Sequence, residues 1–165
     1  MVLAAAGLRR LGYLDGDSAG GGSRGNVQGI PAEVLELETM LPAPGQGALA
    51  LEVARSLDPR LLAHVRGMDD ATAHAEALVE RGFLARLEAG CTAPVGARAV
   101  VKSVRGTSLD LTLTAVVGRT LVSTSSEPAH AGPALRLAVE GSAEDPVDFG
   151  SKHAVGVLTR LQSLE

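Results

Sequence analysis

Within residues 108–117, Leu109, Leu111, Leu113 and Ala115 alternate with Asp110, Thr112 and Thr114. A period of two suits an extended strand with one face in a core and the other toward water. It therefore commits this part of the chain to a half-buried sheet. Two further extended candidates flank it, at 95–104 and 120–125. The connecting residues, Arg105-Gly106-Thr107 and Gly118-Arg119, are short enough for hairpin turns. The pattern predicts a three-stranded antiparallel meander. A last helix is expected over 142–164, started near Asp145 and packing through Phe149, Ala154, Val157, Leu158 and Leu161. From about Asp69 to the end, the chain thus reads as a small α+β domain.

Three more helices are expected upstream. Residues 2–11 contain good helix formers, place Arg9 and Arg10 late where cations suit the negative helix end, and stop at Gly12. Residues 56–68 place Pro59 early in the first turn, carry Leu61, Leu62 and Val65 as an apolar stripe, and end at Gly67. The longest spans 71–88 and is capped by Asp69 or Asp70. At about 100° per residue, Ala73, Ala77, Phe83, Leu84 and Leu87 share one face, and Glu76 and Glu80 fall inside the same stripe. A carboxylate there needs an arginine or backbone N–H groups as partners, unless the stripe is partly open and Glu80 reaches water.

Between these elements the chain is irregular. Residues 15–29 are nearly free of apolar side chains and read as a flexible glycine-rich loop. A phosphate-cradling loop would need a Gly-Lys-Ser/Thr ending after a strand, and neither is present. Pro42 and Pro44 punctuate the chain before Gly45-Gln46-Gly47, where two glycines suit a backbone bend. Residues 48–53 form a short apolar run expected to be a buried strand.

With 165 residues the chain can bury a core without disulfides, and its single cysteine, Cys91, has no partner within the chain. An intracellular, cytoplasmic setting is the expectation. A formal net charge of −4 and 2% aromatic content argue against nucleic acid as a partner, and no apolar run reaches the about 18 residues of a membrane span. Cys91 follows the long helix in Leu87-Glu88-Ala89-Gly90-Cys91-Thr92-Ala93-Pro94-Val95-Gly96, where Gly90 and Pro94 set a turn around it. On residue type alone it is either a packed small hydrophobe or a reactive thiol. No local signature pairs it with His64, His74, His130 or His153 as a hydrolase would require, and the four histidines are too scattered for a sequence-local metal site. No metal is expected.

Three stretches, in order, carry a resemblance to one family. They are Leu3-Ala4-Ala5-Ala6-Gly7-Leu8-Arg9-Arg10-Leu11-Gly12, then Leu41-Pro42-Ala43-Pro44-Gly45-Gln46-Gly47-Ala48-Leu49-Ala50-Leu51-Glu52, then Glu80-Arg81 through the cysteine segment to Gly96. Together they resemble hydroxymethylbilane synthase, also called porphobilinogen deaminase. The resemblance implies a remnant of a two-lobed, periplasmic-binding-protein-like α/β region followed by the small third domain. Residues 1–43 would be the end of the second domain, 44–68 a hinge strand and return segment of the first, and 69–165 the cofactor-attachment domain.

The implied reaction is the stepwise condensation of four porphobilinogen molecules with loss of ammonia, giving linear hydroxymethylbilane in tetrapyrrole biosynthesis. The resemblance assigns Cys91 as the thioether anchor of a dipyrromethane primer, Arg10 and Arg9 to the carboxylates of porphobilinogen and the growing polypyrrole chain, Gly45 and Gly47 to a hinge, and Gln46 to the primer. Arginine suits such carboxylates through its bidentate fork. The family's catalytic aspartate is expected upstream of Met1, so no catalytic residue is named. The full-length family is expected to be monomeric. The alternative is a truncated, noncatalytic fragment or interaction module that keeps only the third-domain fold, with 48–53 presenting an edge that favours self-association.

Overall fold

The computed structural model describes residues 1–14, 24–27, 29–88, 93–118 and 134–163. The chain divides into two compact units, Met1–Leu41 and Pro42–Glu165. In the first, helix α1 (Ala5–Arg10) ends with Arg9 and Arg10 in its last turn. Gly12 follows at φ +72°, a conformation glycine adopts without strain, so the helix stops where the sequence indicates. It starts later than expected, because Ala4 offers no side-chain cap and Val2 and Leu3 are exposed.

Within the expected glycine-rich loop, residues 24–27 form a strand. Strands β1 (Arg24–Val27) and β2 (Ile30–Glu33) pair antiparallel in a register running from Arg24–Glu33 to Val27–Ile30. Gly29 at φ +87° donates its N–H to the Asn26 side chain. Local turn chemistry here overrides the lack of apolar pattern; residues 15–23 and 28 lie outside the described residues.

The second unit is a mixed helix-and-sheet domain in two layers. Strands β3 (Val95–Arg105), β4 (Ser108–Val117) and β5 (Leu135–Ala143) form an antiparallel sheet in the order β3-β4-β5. The β3–β4 hairpin turns at Gly106, φ +63°, and its register shifts between Val101 and Ser103. The third strand is a correction. The sheet position beside β4 is filled by 135–143, paired from Val117–Leu135 to Leu109–Ala143, whereas the expected strand at 120–125 lies outside the described residues. Leu135, Leu137 and Val139 alternate with Arg136, Ala138 and Glu140, so the strand signal was present, but the expected final helix was begun at Ser142. That helix, α4, spans Pro146–Gln162 behind Asp145, whose carboxylate accepts from the N–H groups of Val147 and Asp148.

Helix α2 (Pro59–Arg66) is capped by Asp58 with Pro59 in its first turn, and α3 (Ala71–Arg86) is capped by Asp70. Both starts satisfy N–H groups that a helix leaves unpaired. On α3 the buried face is rotated from the expected one, with Phe83 and Leu87 buried as expected. Ala75, Val79, Gly82 and Phe83 are buried, Ala73 is exposed, and Ala77 and Leu84 lie at the margin. The cause is close helix packing. A methyl group added at Gly82 would strike the carbonyl oxygen of Val147, and one at Gly150 the carbonyl oxygen of Val79. The two glycines let α3 and α4 touch backbone to backbone. Together the helices cover one sheet face, enclosing Val79, Phe83, Ala97, Leu111, Leu113, Ala115, Val117, Phe149, Ala154 and Val157.

Residues 48–53 are also corrected. They form no strand, and Leu49 and Leu51 are 82% and 62% exposed. An extended segment without a neighbouring strand cannot pair its backbone groups or bury its side chains. The Leu61-Leu62-Val65 stripe of α2 similarly contains no buried residue.

On the opposite sheet face, Asp110 accepts hydroxyl bonds from Ser103 at 2.5 Å and Ser142 at 2.7 Å, and Arg105 lies 3.0 Å away. These bonds, led by Ser103, hold its carboxyl below the ordinary carboxylate value. A lowered folded-state value contributes stability above the unfolded value that is lost as pH falls through the folded one. Asp110→Asn should therefore be less stable than the parent near neutrality, with the gap in thermal midpoint closing below pH 3.8. The helix contact makes a second prediction. Gly150→Ala should lose about 3 kcal/mol through overpacking. Gly156→Ala on the same helix meets nothing within 4 Å and should gain up to ~1 kcal/mol. Thermal melts of the two variants would separate packing from propensity.

Candidate functional site

Strand β3 is an edge strand, and alternate N–H groups along it point away from β4. Three of them are satisfied by other elements. Ala97 donates to the carbonyl oxygen of Pro42 at 3.0 Å, Ala99 to Glu80 Oε1 at 2.8 Å, and Val101 to Glu76 Oε1 at 2.9 Å. The spacing explains the match. Four helical residues advance about 6 Å, close to the roughly 6.7 Å covered by two strand residues. Two glutamates one turn apart on α3 thus serve two outward N–H groups of β3, and the edge is covered from Ala97 to Val101. The carboxylates on the apolar stripe have backbone N–H groups as partners, one of the two kinds expected for Glu80.

The second oxygen of Glu80, Oε2, accepts from the N–H of Gly45 at 2.6 Å. Gly45 stands at φ +73° and opens a turn in which Gln46 N–H donates to Ala43 and Ala48 N–H to Gly45. Gln46 is exposed, and its side-chain oxygen accepts from Ala43 N–H at 3.2 Å. A Cβ at Gly47 would meet open space. The Gly45–Glu80 contact was not legible in the sequence, because 35 residues separate the partners.

Helix α3 leads into the cysteine segment through an unusual residue. Glu88 has φ +54°, the only non-glycine residue with positive φ among those described. Beyond the segment, Pro94 accepts the Gly118 N–H at 2.9 Å, and a Cβ at Gly118 would lie 2.7 Å from the Pro94 ring. This clamp, unforeseen from sequence, fixes the start of β3 against the end of β4. Residues 89–92 lie outside the described residues, Cys91 among them. Arg9 and Arg10 stand in the first unit on the last turn of α1, Arg10 exposed. Gly45, Gln46 and Gly47 stand in the second.

Among the histidines, His64 and His74 are exposed and His153 packs edge-on against Phe149 with ring centres 4.6 Å apart. Burial, then Lys152, lowers the His153 pKa. Among the described residues no group of three or more His, Cys, Asp or Glu side chains could hold a metal ion. No helix among them is long and apolar enough to cross a membrane.

Residues 1–62 match the family model described as porphobilinogen deaminase, dipyromethane cofactor binding domain, and residues 74–154 match porphobilinogen deaminase, C-terminal domain. Arg9, Arg10, Gly45, Gln46 and Gly47 fall in the first match and Cys91 in the second. Over 133 residues, 81% of the chain, it is 41% identical to porphobilinogen deaminase 1 of Streptomyces coelicolor, covering 37% of that protein. The corresponding protein of Streptomyces avermitilis is 41% identical over 133 residues, with 36% of it covered. Porphobilinogen deaminase of Mycobacterium tuberculosis is 49% identical over 105 residues, 63% of the chain and 29% of that protein. The matched stretches therefore span well under half the length of these relatives.

Glycine relieves positive φ, whereas an L side chain there costs roughly 1–2 kcal/mol. Part of that gain is offset by the greater freedom of glycine in the unfolded chain. Glu88→Gly should raise stability by up to ~1 kcal/mol in denaturant unfolding, and Glu88→Val should lower it.

Proposed function

Because this chain belongs to the porphobilinogen deaminase family, we propose that it is part of a hydroxymethylbilane synthase and that Cys91 anchors the dipyrromethane primer. The observation that carries the reading is the order of the two matches along one chain, with the cysteine segment between two held flanks. Glu88 closes α3 before it, and the Pro94–Gly118 clamp holds the chain after it. The chemistry of the side chains suits the group. A thiol forms a stable thioether, and Arg9 and Arg10, neighbours in the sequence, carry guanidinium groups of the kind that pair with its carboxylates.

When bound, dipyrromethane supplies the terminal pyrrole to which porphobilinogen units are added. Cys91 Sγ would hold it through successive additions, acting as an anchor and not as a turnover nucleophile. Arg10, with Arg9 beside it, would bind the acetate and propionate groups of porphobilinogen and of the lengthening chain. Glycines at 45 and 47 would let the backbone bend as that chain grows, with Gln46 facing the primer. In this reading, 1–43 belong to the second domain of a two-lobed α/β region, 44–68 to a hinge and return segment, and 69–165 to the attachment domain. The exposed Leu49 and Leu51 support a return segment that needs a strand partner. The setting is cytoplasmic, with neither nucleic acid nor a membrane as partner.

Intact mass of the purified chain, taken before and after incubation with hydroxymethylbilane, tests the anchor. A covalent polypyrrole increment is expected on the parent and absent from Cys91→Ser, which should unfold at nearly the parental midpoint. An equal increment on both proteins would sink the assignment of Cys91, and no increment on either would leave the chain a noncatalytic fragment.

A further inference from the structure

We infer that Glu80 is a positioning residue that latches the Gly45-Gln46-Gly47 turn to α3, the helix whose C-terminal end leads into the Cys91 segment. The inference rests on the reading of that turn as a hinge. One carboxylate serves two segments distant in sequence. Oε2 accepts from Gly45 N–H at 2.6 Å and Oε1 from Ala99 N–H at 2.8 Å. Each oxygen has its own donor, an arrangement that suits a carboxylate with two acceptor oxygens, whereas an amide offers one acceptor and one donor group.

The position of the latch along the chain matters. The other hydrogen bonds of the turn, Gln46 N–H to the Ala43 carbonyl, Ala43 N–H to the Gln46 side-chain oxygen and Ala48 N–H to the Gly45 carbonyl, are local and would move with it. Upstream, the Pro42 carbonyl is tied to Ala97. Downstream, among the described residues, no hydrogen bond returns residues 48–57 to the sheet or to α3. Glu80 therefore holds the last tethered point before an exposed, irregular stretch. Since α3 is rigidly packed on α4 through Gly82 and Gly150, displacement of the turn has two outcomes. Either the Gly45–Glu80 bond breaks, or the load passes into the helix that precedes the cysteine.

Glu76 provides an internal control, because the bond described for it uses a single oxygen, toward Val101 N–H. Glutamine can keep that bond at 76, whereas at 80 it can keep only one of two and turns an NH2 group toward the other donor. Amide hydrogen exchange followed by NMR, without ligand, reads this residue by residue. In the parent, Gly45 N–H should be protected to a degree comparable with Ala99. In Glu80→Gln, Gly45 or Ala99 should exchange about tenfold faster or more, while Leu111 and Leu113 in β4 stay at parental rates. In Glu76→Gln, Val101 should be unchanged. A parental Gly45 N–H that exchanges like open chain would overturn the latch, as would parental rates at both amides in Glu80→Gln. Because the measurement needs no ligand, it separates from the mass test. Labelling at Cys91 with an unprotected Gly45 removes the latch alone, and a protected Gly45 that is released in Glu80→Gln keeps the latch even if Cys91 takes no label.

Discussion

The pairing of Glu76 and Glu80 with the outer edge of β3 is the interaction on which the rest of the second unit depends. A three-stranded sheet has two open edges, and each outward N–H left dry and unpaired would cost more than a typical net hydrogen bond returns. Placing carboxylates from a covering helix on those N–H groups solves two problems at once. The edge is covered from Ala97 to Val101, and charges lying on the border of an apolar helix face receive charge-assisted partners. The register between helix and sheet follows, since two glutamates one turn apart meet two strand residues only when α3 runs along β3 in one alignment.

That alignment also decides how the helices pack. With α3 set against β3, its apolar residues meet β4 and α4, and the remaining space between the helices is too narrow for a Cβ at Gly82 or Gly150. Close approach, in turn, brings Val79 and Phe83 into the centre of the core, both fully buried. The same geometry leaves Glu80 with one oxygen to spare for Gly45. A structural device for protecting an edge thus becomes the connection between a glycine turn and the helix ahead of the cysteine segment.

Legibility in the sequence followed the range of the interactions. The β4 alternation, the Gly106 hairpin, the Asp70 and Asp145 caps and the Gly12 stop are all local, and each was readable from a few neighbouring residues. The third strand was missed at 135–143 because periodicity identifies strands but not which one pairs with β4. The face of α3 was placed only in part, through Phe83 and Leu87, because a wheel weighs side chains by apolarity and gives glycine none, while the helix contact is built on glycines. Residues 48–53 have a strand's composition but lack a strand's neighbour. The family was legible from three ordered stretches, since motifs are local too. The Pro94–Gly118 clamp and the positive φ of Glu88 had no advance signal.

The amino-acid sequence by itself determined the three helices of the second unit and its strands β3 and β4, with the caps and turns that bound them, and the family to which the chain belongs. Those properties reside in short-range backbone preference and in residue identity at fixed spacing. Tertiary structure alone decided which strand sits beside β4, which side of α3 is buried, and where the carboxylates of Glu76 and Glu80 find their donors. The physical reason is that a buried or half-buried polar group must be satisfied by whatever backbone reaches it in space. For Glu80 that backbone comes from Gly45 and Ala99, brought together only when helix, sheet and turn have assembled.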